Sequence, residues 1–149
     1  MIPLEVFMRR IAAGSYVRRN PGVPEGKRFS NVLVEFFLKD DARHDPLVTP
    51  QEIMDLHVAT REEIDEMRST GRRVFEILET AWARQRVTLV DCKIEFGRSV
   101  VDNSLLVADV IDNDSWRIWP GGDKARMLDK QLYRNLPEVT DAALAELLK

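Results

Sequence analysis

Cysteine is nearly absent from this sequence: Cys92 stands alone, so no internal disulfide can form, and a single thiol fits a reducing compartment. Long apolar runs are missing too, and none approaches the roughly 20 residues that a membrane-spanning helix needs. There is no basic excess, since 22 Lys and Arg face 25 Asp and Glu for a formal net charge of −3. That balance argues against a dedicated nucleic-acid binder, which neutralises phosphates with surplus positive charge. Any anion site must be local. The two histidines, His44 and His57, have no second histidine or cysteine at ligand spacing, so no zinc site is expected and both read as structural or exposed. A secretory signal is lacking at the start, because Arg9 and Arg10 follow the apolar stretch of "MIPLEVFMRR" instead of preceding it. These absences predict a cytoplasmic chain that engages neither nucleic acid nor membrane.

The chain's 149 residues, 44% of them hydrophobic, suffice for one ordinary core, and a single domain over 1–149 is expected. Ile2 to Met8 reads as an opening strand, with Pro3 near its start. "AAGSYVRRNPGVPEGKRFS" reads as a long irregular connection. Around it lie Arg9, Arg10, Arg18, Arg19, Lys27 and Arg28 against one acid, Glu25, the marked basic cluster of the chain. "NVLVEFFLKDD" reads as a strand that ends at "ARHDP", where Pro46 biases Asp45 away from helical geometry. Two helix starts follow, Thr49 with Pro50 and Glu52, and Thr60 with Glu63, both at capping-box spacing. In the second helix Ile64, Met67, Gly71, Val74, Phe75, Leu78 and Trp82 recur at steps of three and four and form a core stripe. Period two then returns over Val87 to Gly97 and Leu105 to Val110, a hairpin joined through "VVDNS". "PGGDKARM" predicts a turn and a short helix, and Thr140 with Asp141 predicts a cap before "AALAELLK".

Within the hairpin, "LVDCKIEFG" sets Asp91, Lys93 and Glu95 on one strand face and Cys92, Ile94 and Phe96 on the other. Two readings of the charged face stand open. One is an edge strand with a solvated row of charges. In the other, Asp109, flanked by Val107, Ala108 and Val110, is buried on the neighbouring strand and needs a partner. Two acids on adjacent strands with a lysine then make a cradle for magnesium and a polyphosphate, since magnesium takes few carboxylates and completes its shell with phosphate oxygens and water. If the turn held two residues, Asp102 and Asn103, Glu95 would lie opposite Val110 and Asp109 would face away; a shared metal requires an odd loop or a bulge. "DVIDNDS" lacks the glycine of a calcium loop.

"IPLEVFMRRIAAGS", "FFLKDDARHDP", "LVDCKIEFG" and "ADVIDNDSWRIW…DKQLYR" resemble, in order, the sequence blocks of the SAICAR synthetase family (phosphoribosylaminoimidazole-succinocarboxamide synthase), with "DNDSWR" most like the animal version fused to a carboxylase. The resemblance runs from Ile2 to about Thr140; Phe7 departs from the smaller aliphatic residue usual there. It implies an α+β fold, an antiparallel sheet flanked by helices like the C-terminal lobe of ATP-grasp-like and kinase-like folds. It also implies a ligase of purine biosynthesis that uses ATP and magnesium to activate carboxyaminoimidazole ribotide as an acyl phosphate, which the amine of L-aspartate displaces. Carried over by residue, Glu95 and Asp109 resemble the metal carboxylates, with Lys93 beside the phosphates. Arg9, Ser15 and Arg117 resemble the holders of the ribotide 5′-phosphate, Asp45 and Asp91 those near its imidazole and ribose, and Lys130 and Arg134 line the same cleft. The family's nucleotide-clamping first lobe has no counterpart before Met1, so the chain alone is expected to be weakly active or silent, and to self-associate or meet a complementary N-terminal lobe. The rival expectations are a non-catalytic ribotide- or partner-binding module, and an anion-binding domain using the arginine-rich loop.

Overall fold

A computed structural model of the chain describes residues 1–128 and Thr140. Lys130, Arg134 and the helix expected after Asp141 lie outside the described residues. The architecture is α+β: strands β1 (Leu4–Ile11), β2 (Arg28–Leu38), β3 (Leu47–Val48), β4 (Val87–Arg98), β5 (Leu105–Ala108) and β6 (Trp116–Pro120) form one antiparallel sheet. Its order is β3-β2-β1-β4-β5, and β6 pairs with the first half of β4 on the edge where β5 takes the second half. Among the described residues three α-helices accompany it, α1 (Ser15–Arg19), α2 (Pro50–Asp55) and α3 (Arg61–Arg84). None of the described helices is long and apolar enough to cross a membrane.

Alternation decides what the sheet's two faces do. Leu4, Val6 and Met8 of β1, Phe36 and Leu38 of β2, and Cys92, Ile94 and Phe96 of β4 are buried together on one face. Over that face lies α3, whose stripe Ile64, Met67, Gly71 and Phe75 is buried as its spacing predicts, with Val74, Leu78 and Trp82 partly buried beside it. Burying each large apolar side chain contributes roughly 1.5–3 kcal/mol. Gly71 lets helix and sheet approach: a Cβ there would lie 3.0 Å from Met8 Sδ and 3.5 Å from Val6 Cγ1. The helix begins where the sequence says, since Thr60 Oγ1 accepts the Glu63 N–H and Glu63 accepts the Thr60 N–H, and Thr49 with Glu52 does the same for α2.

Four local expectations are corrected. The connection after Ile11 is not wholly irregular, because Ser15–Arg19 closes a turn and a half of helix and β2 begins at Arg28, three residues before Asn31. "WRIWP" forms β6, which the sequence reading left without a strand. β4 is no edge strand, since it has neighbours on both sides. Finally, Asp109 is not buried inside a strand: β5 stops at Ala108, and Asp109 is exposed, with φ 68° and its own carboxylate accepting the Val110 N–H.

Candidate active site on the polar face of the sheet

The face away from α3 carries charge. Register stacks it in rows across β1 and β4: Glu5 lies opposite Glu95, Phe7 opposite Lys93, and Arg9 opposite Asp91. A register shift in β4 between Leu89 and Asp91, where Val90 is the extra residue against β6, sets Asp91 opposite Arg117. Bulges commonly re-aim side chains beside functional sites. Without this one, Asp91 would oppose Trp116.

Asp91 is the hub of the first of two groups. Its Oδ2 accepts from Arg117 Nη1 at 2.6 Å and from Arg9 Nη1 at 2.7 Å. Arg9, fully buried, also donates to Glu35 Oε2 at 2.6 Å and to Ser15 Oγ at 3.2 Å. Arg19 Nη2 donates to Glu35 Oε1 at 2.6 Å. Three guanidiniums against two carboxylates leave this group one positive charge in excess. Burial pushes the Asp91 carboxyl above its ordinary value, and Arg117 and Arg9 work against that rise. Burial, with Asp91 adding to it, also takes the neighbouring Cys92 thiol up to about 12, so this cysteine stays a protonated core residue.

In the second group Lys93 Nζ donates to Glu5 Oε1 at 2.8 Å and Glu95 Oε1 at 3.0 Å, and Lys39 Nζ donates to Glu95 Oε2 at 2.8 Å. Burial works to raise the Glu95 carboxyl, but the Lys39 and Lys93 hydrogen bonds outweigh it and hold the group below the usual carboxylate range. For Lys93, burial opposes the charge while Glu5 and Glu95 more than restore it, so its ammonium is held above the ordinary value. A cleft of about 340 Å³, lined by Glu5, Asp45, Asp91, Lys93, Asp114 and Arg117 among others, opens over this face. A second, of about 350 Å³, shares Glu5, Phe7 and Asp45 with it and reaches Ser15 and Arg19.

Most of the expected residues therefore converge. Arg9 and Arg117 meet at Asp91, Ser15 joins them through Arg9, Lys93 and Glu95 lie on the same face, and Asp45 lines both clefts at φ 48° with its carboxylate accepting the Asp40 N–H. Asp109 is the outlier. β4 and β5 pair without a bulge, Glu95 opposite Ala108, and four residues, Val100 to Asn103, lie inside the closing Ser99 N–H to Ser104 O hydrogen bond. A continued strand would turn Asp109 to the face opposite Glu95, but the left-handed backbone at Asp109 ends the alternation there. No group of three acidic, histidine or cysteine side chains poised for a metal occurs among the described residues. The sequence reading missed Glu5, Glu35 and Lys39, although Glu5 and Glu35 sit at even steps from Arg9 and Phe37 and so share the charged face.

The site also explains two backbone features. Gly14, at φ 56°, leaves room for the Arg117 guanidinium, since a Cβ there would lie 2.5 Å from Nη2. His44 and Asp45 are consecutive left-handed residues that turn the chain after the 3₁₀ turn Asp41–Arg43 and bring Asp45 to the clefts.

Comparison with known proteins matches the sequence and fold of this chain to one family. The family model described as SAICAR synthetase matches residues 1–148. A phosphoribosylaminoimidazole-succinocarboxamide synthase of Roseiflexus sp. (strain RS-1) is 64% identical over 98% of this chain and 58% of its own length. A multifunctional protein of Gallus gallus is 47% identical over 97% of this chain and 35% of its own. Among solved structures, SAICAR synthetase from Pyrococcus horikoshii OT3 superposes with a TM-score of 0.82 at 34% identity, covering 98% of this chain and 62% of that one. A SAICAR synthetase in complex with ADP superposes with a TM-score of 0.83 at 33% identity, covering 98% and 61%. The chain spans about 58% of the length of the first of these relatives, and over that span, in sequence and fold, it belongs to the SAICAR synthetase family.

Proposed function

We propose that the polar face of this sheet holds carboxyaminoimidazole ribotide and the phosphate end of ATP, for the purine-biosynthetic ligation that joins L-aspartate to the ribotide carboxylate through an acyl phosphate. The observation that carries this reading is the meeting of Arg9 and Arg117, from β1 and β6, at one buried aspartate, with Ser15 of α1 on the same Arg9 and a positive charge to spare. A phosphate monoester is the anion such a set suits, because guanidinium binds it with paired, charge-assisted hydrogen bonds. Asp91 and Asp45 then face the ribose and imidazole in the adjoining cleft.

Phosphoryl transfer to a carboxylate crowds anions together, so positioning and charge neutralisation carry most of the catalysis. Lys93 and Lys39 are the ammoniums on hand for the transferred phosphate, each now held on Glu95. Magnesium held by Glu95, with phosphate oxygens and water filling its shell, would neutralise the nucleotide; Asp109 would share that ion only through the left-handed turn that ends β5, since the bulge-free hairpin itself faces it away. Both side chains are carboxylates of the kind it prefers, and neither needs a third protein donor. The relative of known structure that binds ADP supports a nucleotide here. Because the chain spans about 58% of its relatives' length, turnover is proposed for the whole enzyme and ribotide binding for this chain. A ribotide- or partner-binding module is the second reading that this coverage favours. Arg117→Ala tests the site: titration calorimetry should show ribotide binding weakened by about 1.5–3 kcal/mol, and unchanged affinity would remove the phosphate assignment.

A further inference from the structure

Glu35 touches two guanidiniums from different elements with separate oxygens. It lies on β2 opposite Phe7, with its side chain 10% exposed. Oε2 takes Arg9 of β1 and Oε1 takes Arg19 of α1, each at 2.6 Å. Aromatic faces complete the clamp: the Arg9 guanidinium lies 4.7 Å from the Phe7 ring centroid, that of Arg19 lies 5.0 Å from Phe37, and the two rings meet edge to face at 5.2 Å. A flexible arginine held by both a carboxylate and a ring face loses rotamer freedom before any ligand arrives.

What the clamp leaves unused points to its purpose. Arg9 also donates from Nη1 to Asp91 and from Nη2 to Ser15. Arg19 has no second hydrogen-bond partner among the described residues, stays 29% exposed, and lines the cleft that holds Ser15 and Asp45. We propose that Glu35 is a positioning residue for the phosphate end of the site, fixing Arg9 and aiming Arg19 so that Arg19 joins Ser15 and Arg117 on the ribotide phosphate. This rests on the ribotide reading above. Phe7, the departure from the smaller aliphatic residue expected at that position, is then a part of the clamp.

The sign of one substitution separates positioning from simple charge balance. Glu35→Gln removes a negative charge beside two arginines, so a purely electrostatic role predicts tighter phosphate binding. A glutamine, however, turns an NH2 group towards one of the two guanidiniums, and positioning predicts weaker binding. The experiment titrates the full chain with carboxyaminoimidazole ribotide and with its phosphate-free riboside. Glu35→Gln should lower ribotide affinity about tenfold, the worth of one charge-assisted hydrogen bond, with riboside affinity unmoved. Unchanged or tighter ribotide binding overturns the proposal. Should Glu35→Gln fail to fold, Arg19→Gln at the part-exposed position carries the test, with the same tenfold, phosphate-selective loss expected and unchanged affinity overturning it. Arg117→Ala in parallel separates the two claims: if it weakens ribotide binding and the Glu35 and Arg19 variants do not, the positioning role alone falls, whereas if none of the three matters the phosphate site itself falls.

Discussion

Gly14→Ala should damage the site more than its size suggests. Gly14 adopts φ 56° and ψ −128°, a region almost closed to residues with a side chain, and holding alanine there costs about 1–3 kcal/mol. The new methyl would also lie 2.5–2.7 Å from three guanidinium atoms of Arg117. Arg117 must then withdraw, and its 2.6 Å charge-assisted bond to the buried Asp91 is worth about 1.5–3 kcal/mol. The two costs share a neighbourhood and do not simply add, so a loss of about 3 kcal/mol is the working figure. With a urea m-value of about 1–3 kcal/mol/M, the unfolding midpoint falls by about 1–3 M. Ribotide affinity should fall with it, because Arg117 is displaced from its place against Gly14 and Asp91. Gly22→Ala is the control, since a Cβ there meets nothing within 4 Å and φ lies outside the left-handed region. An unchanged midpoint and unchanged ribotide affinity for Gly14→Ala would refute the steric argument.

Two further outcomes concern the scaffold. Phe75, fully buried between α3 and the sheet, should cost about 3–5 kcal/mol on truncation to alanine in urea unfolding, and a loss below about 1 kcal/mol would show that α3 does not seal the core as described. Glu79 is held below its ordinary 4.5 chiefly by the Arg10 hydrogen bonds, with burial opposing and Arg28 assisting. A depressed carboxylate contributes stability above its unfolded pKa that is lost as pH falls through the folded value. Glu79→Gln should therefore lower stability at neutral pH and flatten the fall in stability below about pH 4.5, and a parallel pH profile would exclude that pair as a source of acid sensitivity.

The legible parts of this protein were those that local rules settle. Capping boxes at Thr49 and Thr60 and the stripe from Ile64 to Phe75 placed two helices and a core face, and strict alternation in "LVDCKIEFG" put three charges on one side. The pairing of β6 with β4 was hidden, because the five residues from Trp116 to Pro120 that follow an acidic turn carry a weak local signal and their register depends on the extra residue Val90. Asp109 misled for a related reason: its apolar neighbours continue the strand pattern, while a single left-handed residue, invisible in composition, stops the strand at Ala108. Glu35 was missed because its value lies in two partners, 16 and 26 residues away in sequence, that only the sheet brings together.

The most direct test of the central claim is a crystal structure of the chain grown with carboxyaminoimidazole ribotide. The account predicts the 5′-phosphate within hydrogen-bond distance of Ser15 Oγ and the Arg117 guanidinium, with the imidazole in the cleft bounded by Asp45 and Asp91. Ribotide density with its phosphate elsewhere, and the Arg9–Asp91–Arg117 group left untouched, would contradict it.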